Sequence, residues 1–176
     1  QIRWITDNIS SLETNRLFIE FIDSDHQHLI DSYKNPDVWL NSSRKNTPEH
    51  CALFNYIKNV FSFGHQDLIA SECISVIDSC FSANIKVVAI GDPTPYVNFN
   101  KDIPLLSDHF LKIITDHLNS YPGVKFIVWA PFAYSQTEEG KKLSHPSLSF
   151  LLKEKGFRMT SYDWRSPRYN VSDSDY

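Results

Sequence analysis

"LIASECISVIDSCFSANIKVVAIGD", residues 68–92, decides how this chain folds. By residue type it contains two β-prone runs, "LIASECISVID" (68–78) and "NIKVVAIGD" (84–92), joined by the short "SCFSA" of residues 79–83. Two such runs with so brief a connection predict an antiparallel pair. A third run, "YVNF" (96–99), follows the turn "DPTP" and extends the pair into a meander.

Upstream, "RLFIEFI" (16–22) reads as a strand, and the polar, acidic start of "DSDHQHLIDSYKNPDVW" (23–39) reads as a tight turn into a helix that Pro36 closes. "TPEHCALFNYIKNVFSF" (47–63) reads as a second helix. Thr47 serves as N-cap, Pro48 as first helical residue, and Leu53, Tyr56, Ile57 and Val60 form one apolar face. Downstream, Leu106, Phe110, Ile113, Ile114 and Leu118 line one side of a helix ended by Pro122 and Gly123. "VKFIVWAPF" (124–132) reads as a strand buried on both faces. After the polar loop "AYSQTEEGKKLSH" (133–145), "HPSLSFLLKEKGFR" (145–158) reads as a last helix stopping at Gly156, followed by a final strand "FRMTSYDW" (157–164). The expected fold is α/β (α+β), one domain over residues 1–165 with a loose tail at 166–176.

Composition narrows the function. The 176 residues, 41% of them hydrophobic, suffice for one core. A net charge of -4 without long basic runs argues against holding a nucleic-acid backbone. Cys51, Cys73 and Cys80 show no CxxC spacing, so no disulfide framework or structural metal is expected and a reduced, intracellular, cytoplasmic setting is the default. No apolar run approaches the roughly 20 residues of a membrane span. The start at Gln1 is compatible with a trimmed chain from which a targeting segment has been removed.

Three segments resemble the GNAT superfamily of N-acetyltransferases, most nearly the branch that acetylates ribosomal-protein N-termini. "LETNRLFIEFID" (12–23), with Glu13, Thr14, Arg16 and Leu17, resembles the opening strand of that family. "SDHQHLIDSYKNPDVW" (24–39) resembles its first helix, and "HPSLSFLLKEKGFR" its last helix and Lys-x-Gly-Phe exit. The resemblance implies a mixed, mostly antiparallel sheet flanked by about four helices. It implies acetyl-CoA as cofactor, held between splayed strands with its pyrophosphate on a helix N-terminus, and an amine-bearing substrate, peptide or small molecule, as acceptor.

On that resemblance the cofactor would meet Asn98, Phe99, Lys101, Leu105, Leu106, Ser107 and Leu152. The family's glycine-bearing pyrophosphate loop corresponds here to "NKDIPLLSDHF" (100–110), which has no glycine; a plain loop feeding an amphipathic helix also accounts for it. His145 stands where many relatives carry Asn, and Leu152 where some carry Tyr. Glu72, Asp92 and His65, near expected strand ends, join His145 as candidates for the group that takes the amine's proton, although each is as simply a solvated surface group. Tyr96 and Asn98, with Tyr134 and Ser135, are placed to line the cleft, and Trp39, Trp129 and Trp164 read as packing. The second functional reading is a catalytically degenerate GNAT-like domain that binds a protein partner as a scaffold, with "VWAPFAY" (128–134) as a contact surface.

Overall fold

The computed structural model describes residues 5, 6, 8, 9, 11, 13–61, 65–92, 99–130 and 148–158, with the backbone alone over 99–107. In chain order the elements are β1 (Arg16–Asp23), α1 (Gln27–Tyr33), α2 (Pro36–Trp39), α3 (Pro48–Val60), α4 (Gln66–Ser82), β2 (Lys86–Gly91), α5 (Phe99–Ser120), β3 (Phe126–Trp129) and α6 (Leu148–Glu154). Short 3-10 turns at Ser24–His26 and Arg44–Asn46 precede α1 and α3. The chain divides into two compact units, Gln1–Gly91 with Gly123–Val128, and Asp92–Pro122 with Trp129–Tyr176.

The first unit is built on a three-stranded sheet ordered β2-β1-β3, with all strands parallel. This overturns both the mostly antiparallel sheet and the GNAT resemblance that implied it. The reason lies in the stretch quoted first. Residues 66–82 form helix α4, whose Ala70, Cys73, Ile74, Val76, Ile77, Cys80 and Phe81 are buried. Spacings of three and four recur through that set, which is one wide face of an α-helix. Asn84 ends it at φ 56°: its N–H donates to Phe81 O at 3.1 Å while Ile85 N–H donates to Cys80 O at 2.7 Å. That paired closure through a left-handed Asn is the Schellman helix ending. A helix between β1 and β2 supplies the long crossover that parallel strands require, which a tight turn cannot.

β1, the central strand, has Leu17, Phe18, Ile19, Phe21 and Ile22 buried, so both of its faces are covered. β2, an edge strand, has Val87 to Gly91 buried. The Gln27 carboxamide pairs with it as a strand would, donating to Val87 O at 3.2 Å and accepting from Ala89 N–H at 2.7 Å. That blunts an edge otherwise open to another chain. β3 is half-buried at all four residues rather than buried on both faces. Its Phe126 meets Phe18 edge-to-face, ring centroids 5.8 Å apart.

In the second unit α5 buries Phe110, Ile114 and Leu118, and α6 buries Leu148, Ser149 and Leu152. Gly156 ends α6 at φ 86°, its N–H donating to Lys153 O and that of Phe157 to Leu152 O, again a Schellman closure. Among the described residues, six α-helices have both bounds given, rather than about four helices, Phe157 and Arg158 belong to no strand, and no helix is long and apolar enough to cross a membrane. The rest of the expected final strand, residues 96–98, the loop at 133–145 and the tail at 166–176 lie outside the described residues.

Candidate functional site at the carboxyl edge of the sheet

With β1 between β2 and β3, the connection to β2 leaves β1 on one side while β3 flanks it on the other. In open parallel sheets such a reversal leaves a crevice beyond the strand carboxyl ends, where ligands commonly bind. β1 reaches that edge irregularly. Ile19 pairs with Ala89 and Asp23 with Gly91, so four steps along β1 match two along β2. The slack curls over Gly91. A Cβ there would lie 2.5 Å from Glu20 O, 2.7 Å from Ile22 O and 2.9 Å from Asp23 Cα, so only glycine fits.

Where β1 ends, "DSDH" turns into the 3-10 segment and gathers its ionisable groups. His26 Nδ1 lies 2.7 Å from Asp25 Oδ1 and 4.0 Å from Asp23 Oδ2. One potential ligand atom from each of Asp23, Asp25 and His26 falls within 4.8 Å of the others. Tyr56, from α3, accepts the Asp23 N–H at 3.2 Å, and its ring lies against His26 with centroids 4.6 Å apart. Burial, and then the Asp23 carboxylate beside it, push the Tyr56 phenol up to about 12. Two carboxylates and an imidazole are donors suited to a divalent cation.

Glu20 adds a group that titrates near neutrality. Withdrawal from water, and secondarily the Asp23 charge, push its carboxyl up to about 7 from an ordinary 4.5. An acid whose pKa is raised in the fold holds its proton there, so its contribution to stability is full below about 4.5 and is lost as the pH rises through about 7. A shift of that size corresponds to ~3 kcal/mol. Glu20→Gln, with no proton to lose, should flatten the dependence of urea-unfolding free energy on pH between about 5 and 7.5, chelator present, by an amount of this order. A slope equal to that of the unaltered protein would assign the titration elsewhere.

A second polar cluster lies at Asp78 on α4. Its Oδ1 accepts from Tyr33 Oη at 2.9 Å and Trp39 Nε1 at 3.1 Å, and its Oδ2 from Arg44 Nη2 at 2.9 Å. Burial, then Asp78, holds the Tyr33 phenol well above its ordinary range. Three donors from three segments around one carboxylate tie α1, α2 and the turn before α3 to α4. His50 stacks on Phe54 beside this cluster, and its Nδ1 is buried without a hydrogen-bond partner.

Of the residues expected from sequence, Glu72 sits within helix α4 rather than at a strand end, and Asp92 directly follows β2. His65 precedes α4 at φ 69°. Phe99, Lys101, Leu105, Leu106 and Ser107 fall in the opening turns of α5, where only backbone is described, and Leu152 is buried in α6. Asn98, His145, Tyr96, Tyr134 and Ser135 lie outside the described residues. Sequence reasoning missed Glu20, Asp23, Asp25, His26 and Tyr56 as a group. The available signal was an acidic-histidine run directly after an apolar strand, read instead as the polar start of a helix.

No protein-family model matches the chain, nor does any of the curated proteins compared with it. Among solved structures it is similar to the type III effector HopBA1, with a TM-score of 0.52 and 17% identity over 81% of this chain and 66% of that one. The match thus spans just under two thirds of HopBA1, and at this identity the likeness is one of fold.

Proposed function

We propose that the carboxyl edge of the sheet is a divalent-cation site serving a hydrolytic reaction. The observation that carries this reading is the convergence of Asp23, Asp25 and His26 within 4.8 Å where β1 leaves a parallel sheet. Asp23 and Asp25 would supply oxygen and His26 nitrogen to the ion. A cation so held would lower the pKa of a water bound to it and so favour hydrolysis. Acetyl transfer from acetyl-CoA and the scaffold role both rested on the GNAT resemblance, and neither has an observation to carry it now that the sheet is parallel.

The test is manganese binding by calorimetry and thermal unfolding. The unaltered protein is expected to gain about 2.7 kcal/mol at 100 times the dissociation constant, and about 2–4 °C in Tm per kcal/mol. Asp25→Asn, at an exposed position, should weaken binding at least tenfold with the fold intact. If neither manganese, magnesium nor zinc binds at millimolar concentration, the cluster is a surface ion-pair network and the reading is overturned.

A further inference from the structure

We propose that Tyr56 is the positioning residue of this site, setting the directions of Asp23 and His26; the inference rests on the cation reading above. The two groups differ in what holds them. Asp23 ends a strand whose register has just slipped around Gly91, and its N–H is met by a side chain, the Tyr56 hydroxyl. His26 lies three residues on, in a 3-10 turn whose start has no side-chain cap. Tyr56 reaches both from α3, a separate element of thirteen residues anchored by Leu53 and Ile57 in the core.

Its hydroxyl accepts the Asp23 N–H at 3.2 Å. The hydroxyl thus holds the backbone from which one ligand side chain departs. Its ring lies against the imidazole of the other, centroids 4.6 Å apart at 36° between planes. Asp25, more than half exposed, has no contact with Tyr56 among the hydrogen bonds and ring contacts of the described residues. Two of the three ligand groups are therefore oriented from outside their own loop, by one side chain. Groups of this kind, which touch ligands rather than the ion, commonly govern metal affinity by a factor of about 10 to 100.

The experiment compares manganese affinity of the full chain, unaltered and as Tyr56→Phe, Tyr56→Leu and Asp25→Asn, at a temperature where circular dichroism shows each folded. Tyr56→Phe keeps the ring against His26 and loses the hydroxyl. It is expected to weaken binding about tenfold and to broaden the manganese electron-paramagnetic resonance spectrum as the ligand set loosens. Tyr56→Leu should weaken it further. If the unaltered protein binds, Asp25→Asn does not and Tyr56→Phe matches the unaltered protein in affinity and spectrum, the positioning role is overturned while the cation site stands. An affinity loss that merely follows the folded fraction would overturn it as well. Failure of the unaltered protein to bind any of the ions overturns both.

Discussion

Replacing Gly91 with alanine is expected to lower the melting temperature by about 6–20 °C. The added Cβ would meet Glu20 O at 2.5 Å, Ile22 O at 2.7 Å and Asp23 Cα at 2.9 Å, all backbone atoms with no rotamer to vacate. Relief requires moving the end of β1 itself. Overpacking against side chains costs about 1–3 kcal/mol, and a fixed backbone wall places this variant at about 3–5 kcal/mol, in the range reserved for named structural faults. At roughly 2–4 °C per kcal/mol that is a shift easily read in a thermal melt. Gly123→Ala is the control. Gly123 has φ 80° but nothing within 4 Å of an added Cβ, so it should show only the left-handed penalty of about 1–2 kcal/mol. Equal losses in the two variants would mean that β1 does not close over Gly91.

Asp78→Ala is expected to cost about 3–5 kcal/mol by a different route. Tyr33 is fully buried and its hydroxyl would lose its acceptor, as would the Trp39 indole, while Arg44 would lose its counter-charge. The carboxylate is only 21% exposed, so water does not readily replace it. Asp78→Asn keeps an acceptor oxygen and should cost about half as much. Arg44 is more exposed, and Arg44→Ala should cost about 1 kcal/mol or less, as surface ion pairs do. The order Asp78→Ala, Asp78→Asn, Arg44→Ala in urea-midpoint loss checks the argument. If Arg44→Ala were the equal of Asp78→Ala, the ion pair and not the buried acceptor would hold these segments.

The legible parts of the fold are those whose cause lies within a few residues. Thr47 accepts from His50 N–H at 3.3 Å with Pro48 in the first helical position, as the sequence pattern of a capped helix requires. Gly156 stops α6 for the same local reason, the tolerance of glycine for positive φ. α4 was misread because Ile74, Val76 and Ile77 carry β-preference while their burial follows a helical period. Its true end was written in Asn84, a residue able to adopt the left-handed conformation of a helix stop. One misassigned element then reversed the direction of a strand, because a turn permits only antiparallel pairing and a crossover permits parallel.

The candidate site divides along the same line. Asp23, Asp25 and His26 are neighbours in the chain, so their nearness to one another was available from sequence. Their meaning was not, since the same run begins a helix in a meander and sits at the ligand edge in a parallel sheet. Caps, turns and periods are short-range effects, and the sequence by itself determined those. The strand order, the curl of β1 over Gly91, the raised Glu20 carboxyl and the arrival of Tyr56 from α3 were decided by tertiary structure alone. Each depends on which distant backbone or charge is brought alongside, and on the water removed as it comes.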